Sequence, residues 1–220
     1  MNVNIDKAIY VVEQVRHLTP STYVLRFSRN GMQFHPGQHL VLGLQGSSDL
    51  REYSIYSGTE DDFLEVLIKE VDDGVVSKQL KTIQSGDHLD VRGPYGFFLT
   101  RSTLPESARV LFISSGTGIA PFHSFIQTHP DADYQLIHGV RRMDEAYDLS
   151  DYRKDRIQVC TSRDPGGDFE GRLTDYLLEA DLELDRQVYL CGNSSMIFDA
   201  MDILRARGIP QRQIFTEVYF

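Results

Sequence analysis

Three glycine-containing turns and one polar strand start hold the residue types that could do chemistry in this chain. Ser114-Ser115-Gly116-Thr117-Gly118-Ile119-Ala120-Pro121 follows an apolar run and opens a helix-forming segment. Glycines there let the backbone approach a phosphate, and the free N–H groups of a helix start carry positive partial charge. Tight strand–helix packing alone would use the same turn. Arg51-Glu52-Tyr53-Ser54 sets a guanidinium that can fork onto a phosphate beside a phenol that can lie on a planar ring and a hydroxyl donor. Gly74-Val75-Val76-Ser77 opens a second short helix and offers a second anion-binding start. Cys191-Gly192-Asn193 ends another apolar run, with Ser194 as a candidate cap for the helix that follows. The chain closes on Thr216-Glu217-Val218-Tyr219-Phe220, whose two aromatics can dock into a core or cover a flat ligand.

The elements that must position these groups fall into two patterns. In the first half, short β-like runs (8–15, 22–28, 38–44, 53–57, 63–71 and 88–91) alternate with turn residues such as Asn30-Gly31, Pro36-Gly37 and Asp72-Asp73-Gly74. Six strands at this spacing predict a small antiparallel Greek-key β-barrel, interrupted by one helix over 75–83. After Gly93-Pro94-Tyr95-Gly96 the pattern changes. Apolar strands over 109–114, 134–139, 157–161 and 187–191 alternate with helices over 119–128, 145–152, 173–180 and 195–207. That pattern predicts a parallel α/β nucleotide-binding domain. The expected division is 1–102 for the barrel and 103–220 for the α/β domain, and the seam between them is the natural place for a cleft.

Composition narrows the class of function. The chain has 220 residues, with 22 Lys+Arg against 32 Asp+Glu and a net charge of −10. A nucleic-acid binder or a protein gripping anionic lipid would need the opposite balance. No apolar run reaches the roughly 20 residues of a membrane span. Two cysteines cannot supply a four-thiolate cluster, and no set of histidines with carboxylates has ligand spacing, so no metal is expected. A cytoplasmic protein with free thiols is the expectation.

Taken in order, Arg-x-Tyr-Ser, Gly-Val-x-Ser, Gly-Pro-Tyr-Gly, Gly-Thr-Gly-Ile-Ala-Pro, Cys-Gly-Asn and Glu-Val-Tyr form a series that resembles the ferredoxin–NADP reductase superfamily from about Ile9 to the last residue. The resemblance implies a barrel that binds FAD and an α/β domain that binds NADPH, with NADH as the alternative donor. It implies that Arg51 holds the flavin pyrophosphate, that Tyr53 packs on the flavin, and that Ser54 bonds its N5. Gly74, Val75, Val76 and Ser77 would wrap the pyrophosphate, and Ile68 and Lys69 would touch flavin largely through backbone. Gly116, Thr117 and Gly118 would face the pyridine nucleotide, with Cys191 and Gly192 bordering the nicotinamide. Ser162 and Arg163, with Arg172, would grip a 2′-phosphate, against the opposing charges of Asp164, Asp168 and Glu170. Glu217 matches the glutamate that works with the serine, so Ser54, Cys191 and Glu217 form the implied catalytic set. Tyr219 matches the terminal tyrosine of plant-type members, and the extra Phe220 leaves open which aromatic covers the ring.

The activity implied is hydride transfer from NAD(P)H to bound FAD, with electrons passed to a separate acceptor. That acceptor would be a small redox protein of the ferredoxin or flavodoxin type, or an oxygenase component. Lys78, Lys81, Arg92 and Arg101 are candidates for a basic patch that meets an acidic partner. Two other readings stay in play: a reductase that releases free reduced flavin, and a non-catalytic flavin-binding electron-transfer subunit.

Overall fold

The computed structural model describes residues 9–99 and 109–219. The expected domain boundary, Arg101 and Phe220 therefore lie outside the described residues.

The first half is a six-stranded antiparallel sheet. Its strands are β1 (Tyr10–Thr19), β2 (Thr22–Ser28), β3 (His39–Leu44), β4 (Arg51–Ser54), β5 (Phe63–Lys69) and β6 (His88–Tyr95), in the order β4-β3-β6-β1-β2-β5. β6 inserts between β3 and β1, the Greek-key crossover expected from the sequence. The sheet curls on itself, because Ile55, just past β4, bridges Val66 of β5 at the opposite edge. Alternate side chains of β2, β3 and β5 fill the interior: Tyr23, Leu25, Phe27, Leu40, Leu42 and Leu64 are all buried. Helix α1 (Val75–Thr82) closes one end by burying Val76 and Leu80.

The second half is a parallel sheet of β7 (Val110–Ser115), β8 (Tyr134–Val140), β9 (Ile157–Thr161), β10 (Phe169–Glu170), β11 (Gln187–Asn193) and β12 (Ile214–Tyr219), in the order β10-β9-β8-β7-β11-β12. Val110, Leu111, Phe112 and Ile113 are consecutive and all buried, as a strand covered on both faces requires. Helix α2 (Ala120–Thr128) packs on one face through Phe122, Phe125 and Ile126. Helices α3 (Leu173–Glu179) and α4 (Ser194–Ala206) cover the other through Leu177, Ile197 and Leu204. The α2 layer also holds Val24, Tyr56 and Leu67 from the barrel, so the two domains share one apolar core. Among the described residues, no helix is long and apolar enough to cross a membrane.

Two local expectations are corrected, and the terminal segment gains a pairing the sequence did not show. The segment expected to be a helix over 145–152 forms two short 3-10 turns, Met143–Glu145 and Leu149–Asp151. The reason is tertiary: Asp148 sits between them in the left-handed region at φ 50°, and no α-helix passes through that conformation. Asn193, not Ser194, caps α4: its side chain accepts from the N–H groups of Ser195 and Met196 at 3.0 and 3.4 Å. The terminal segment, whose aromatics the sequence leaves open between docking into a core and covering a flat ligand, is a parallel edge strand paired with β11 from Val188↔Ile214 to Asn193↔Tyr219.

Candidate functional site

In the parallel sheet the strand order reverses direction between β7 and β11, and a crevice must open beyond their carboxyl ends. A cleft of about 540 Å³ lies there. Gly116 and Thr117 follow β7 into it, and Gly192 borders it from β11. Gly116 has φ 53°, and a Cβ on it would meet nothing within 4 Å: the residue faces open space in a conformation that suits glycine. Gly192, at φ 135°, is packed so closely that a Cβ would strike Ser115. Gly118 departs from expectation. It is buried, does not line the cleft, and a Cβ there would land on the backbone of Cys191 and Gly192. Its glycine serves close packing of the turn on β11.

The far wall of the cleft holds Ser162, Arg163 and Arg172, together with Lys69 reaching over from the barrel. Arg141 lines it as well and was missed by sequence reading. It directly follows β8, and the rule that strand ends carry ligand groups would have found it. The Asp164 carboxylate accepts the Met143 N–H at 3.2 Å, which fixes its place and leaves its negative charge beside the arginines. Lys69 stands 3.5 Å from Glu145.

Where the cleft meets the barrel, three side chains from distant positions converge. The Ser54 hydroxyl, buried at the end of β4, donates to Glu217 Oε1 at 3.1 Å and accepts from the Tyr219 hydroxyl. β12 brings Glu217 and Tyr219 here because its register sets Glu217 beside Cys191 and Tyr219 beside Asn193. Burial pushes the Glu217 carboxyl up to about 7, with the Ser54 bond pulling down and Glu52 pushing up. A carboxyl there can hold or release a proton near neutral pH. The Cys191 thiol is fully buried and driven well above its ordinary range by that burial. It is a neutral contact surface rather than a nucleophile.

On the barrel's side of the seam, the Arg51 guanidinium is exposed. Its Nη1 donates to the carbonyl of Leu50 at 2.8 Å. Tyr53, beside it, is half-buried, and its phenol is pushed up to about 12 by burial. α1 starts at Gly74 with no side chain capping its first turn. A Cβ on Gly74 would lie 2.8 Å from Ser77 Oγ, so a larger residue would have to displace the Ser77 hydroxyl. Ser77 is buried, and its hydroxyl accepts the Val71 N–H at 3.2 Å. Val76 and Ile68 point into the barrel core, leaving only their backbone for a ligand, while Val75 is exposed. An exposed arginine, a half-buried phenol and an uncapped helix start fit a diphosphate joined to a flat ring system.

Within the candidate basic patch, one cation is paired and another is fixed in place without losing its charge. Lys81 pairs with Glu70 at 2.6 Å, and the Lys78 ammonium donates to the Asp72 carbonyl. His123, Asp148 and Asp151 lie close enough to suggest a metal set, but Arg16 and Tyr56 already donate to Asp148.

Two family models match in tandem: an oxidoreductase FAD-binding domain over residues 9–99 and an oxidoreductase NAD-binding domain over residues 112–202. The chain is 30% identical to the ferredoxin–NADP reductase of Azotobacter vinelandii, covering 94% of this chain and 91% of that protein. It belongs to the ferredoxin–NADP reductase family. The match extends to larger family members. The toluate 1,2-dioxygenase electron transfer component of Pseudomonas putida is 27% identical over 94% of this chain, which spans 66% of that protein. A ferredoxin NADP+ reductase from Neisseria gonorrhoeae, solved with FAD and NADP bound, superposes with a TM-score of 0.82 at 25% identity. That alignment covers 97% of this chain and 98% of the other. Membership accounts for the barrel beside the parallel sheet, and FAD and NAD(P) are the cofactors of its two domains.

Proposed function

We propose that the protein is an NAD(P)H-dependent flavoprotein reductase that passes electrons to a separate small redox protein, of the ferredoxin or flavodoxin type or an oxygenase component. Residues up to about 102 form the flavin domain and those from 103 the nucleotide domain. The observation that carries this reading is the meeting of Ser54, from the barrel, with Glu217 and Tyr219, from the last strand of the other domain. Such a meeting serves a reaction between two ligands, one held by each domain.

Bound FAD would supply the chemistry, taking a hydride from the nicotinamide and releasing electrons onward. The chain's own residues do the rest. Arg51 and the amides of Gly74 to Ser77 hold the pyrophosphate, and Tyr53 supports the ring system. Ser54 presents its hydroxyl at the seam, and Glu217 holds a proton behind it near neutral pH. Gly116, Thr117, Cys191 and Gly192 shape the slot for the nicotinamide. Tyr219 lies across the seam between Ser54 and Cys191, where it excludes water and must shift to admit the nicotinamide. Ser162, Arg163 and Arg172 favour a 2′-phosphate, so NADPH is the expected donor.

An anaerobic titration with NADPH and, separately, NADH tests this. Flavin that stays bound through gel filtration and bleaches with stoichiometric NADPH supports the reading. Flavin lost on the column points to a free-flavin reductase, and bound flavin that neither nucleotide reduces overturns the enzyme assignment.

A further inference from the structure

A polar cluster, buried at Tyr56 and His123 and half-buried at Arg16 and Asp148, ties the two domains together away from the cleft. Arg16, on β1, forks onto Asp148 with both Nη–Oδ distances at 2.8 Å. The Tyr56 hydroxyl, fully buried, donates to the same carboxylate at 2.8 Å. The Tyr56 ring stacks on His123 of α2 with centroids 3.7 Å apart and planes 9° from parallel. His123 Nδ1 lies 2.7 Å from the Tyr56 carbonyl, and its Nε2 lies 3.0 Å from Asp151 Oδ2. Two further bonds run along the same seam: Ser124 Oγ donates to the Ser57 carbonyl at 2.7 Å, and the Thr59 N–H donates to Thr128 Oγ1 at 3.0 Å.

Two features set this cluster apart from ordinary interface packing. The apolar core shared by the domains already holds them together, yet Asp148 is kept at φ 50°, a left-handed conformation that costs a non-glycine residue about 1–2 kcal/mol. Such strain persists only where the surroundings over-determine it. Second, the stacked pair at its centre lies near both reactive ends. Tyr56 is two residues past Ser54. His123 and Ser124 lie on the first turns of α2, directly after the Gly116–Gly118 turn. The cluster therefore joins the strand that carries Ser54 to the helix that carries the nucleotide turn.

We propose that Arg16, Tyr56, His123 and Asp148 form a positioning brace that sets the distance and angle between the flavin and nicotinamide sites. This rests on the reductase reading. None of the four lines the cleft, so each acts through Ser54 or the glycine turn. A small rotation of one domain against the other leaves each ligand's own contacts intact while moving the reacting atoms apart, and hydride transfer is steeply sensitive to that distance.

The test uses FAD-loaded full-length protein with Asp148→Asn, and with Tyr56→Phe, which keeps the ring and its stack on His123. The expected result is a hydride-transfer rate constant per bound flavin lowered about tenfold, with the KM for NADPH and the flavin dissociation constant within about twofold of wild type. Weakening of the long-wavelength charge-transfer absorbance that marks nicotinamide against flavin should accompany it. In flavin-free protein, amide exchange should rise together at 55–59 and 119–125, in two different domains. Variants that lose thermal stability but keep the wild-type rate constant and charge-transfer band overturn the brace as a positioning device. If Asp148→Asn does not fold, Tyr56→Phe alone decides by the same readouts. A wild-type protein whose bound flavin neither nucleotide reduces overturns the reductase reading and the brace with it. Rapid reduction of wild type and both variants alike overturns only the brace.

Discussion

The two ends of the parallel sheet are built from the same strands and treated in opposite ways. At the end where β7, β8 and β11 begin, charges close the structure. Arg186, only 4% exposed, donates to Asp133 Oδ1 at 3.0 Å and to the carbonyls of Val110 and Asp133, and pairs with Glu183 at 3.1 Å. Arg109 adds pairs with Asp133, Asp185 and Glu183. At the other end, β7, β8, β9 and β11 run out into Gly116, Arg141, Ser162 and Gly192 around the cleft. One end spends its charges on the chain itself, and the other holds them around a space. Substitutions at the closed end should therefore change stability without changing activity, and those at the open end the reverse.

The largest effect is expected at the open end. Ser54→Ala removes the hydroxyl between Glu217 and Tyr219. Reduction of bound flavin, followed by stopped flow, should slow by roughly 10²-fold, the usual cost of a lost preorganised donor, with little change in unfolding midpoint. At the closed end, Arg186→Met removes a buried guanidinium and its bonds to Asp133, Glu183 and two carbonyls, while Arg109 keeps both carboxylates paired. Urea unfolding should show a loss of about 2–3 kcal/mol, the scale of charged hydrogen bonds, while the rate per folded flavin stays at the wild-type value.

Smaller effects sharpen the contrast. Gly116→Ala introduces a Cβ into open space at positive φ, so the cost is backbone strain of about 1–2 kcal/mol, with a raised KM for the nucleotide. Arg163→Gln should lower kcat/KM for NADPH about tenfold and leave that for NADH nearly unchanged, a discrimination of about 1.4 kcal/mol. An equal fall for both donors would remove Arg163 from 2′-phosphate recognition.

The smallest effect concerns pH. Glu217, raised to about 7 by burial, binds a proton in the folded protein that the unfolded chain releases near the ordinary carboxylate range. Its contribution to stability is therefore present at low pH and lost as pH rises toward and through about 7. His138 runs the other way. Burial lowers it to about 4, so its contribution is lost as pH falls from about 6.5 toward 4. The two oppose each other in the whole protein. The difference between wild type and Glu217→Gln in a pH series of unfolding midpoints isolates the carboxyl: wild type should lose stability relative to the variant between pH 5 and pH 8. A flat difference would show that Glu217 titrates normally.

The parts of the site that were legible in the sequence are those set by local chemistry. The apolar run Val110 to Ile113 ending in Gly116-Thr117-Gly118 announces a buried parallel strand and a turn with free amides, because strand burial and turn conformation are written in adjacent residues. The start of α1 at Gly74 was legible for the same reason. Gly118 was read as ligand-facing, yet the backbone of β11 occupies the space beside it, and a neighbour more than 70 residues away leaves no local mark. Ile214–Tyr219 was not read as a strand, since only pairing with β11 makes an edge strand of it. The turn at Asp148 was hidden in a helix-like stretch because Arg16 and Tyr56, which hold it, lie 132 and 92 positions away.

By itself, then, the sequence determined a barrel followed by a parallel α/β sheet, the phosphate-suited turns, and through its ordered motifs the family. Those follow from periodicity, glycine placement and side-chain type, which are properties of short segments. The tertiary structure alone decided which glycines face the cleft, that Ser54 meets Glu217 and Tyr219, and that Arg16, Tyr56, His123 and Asp148 tie the domains together. Each of these is a contact between segments whose closeness is set by how the whole chain packs, and packing is a property of no single segment.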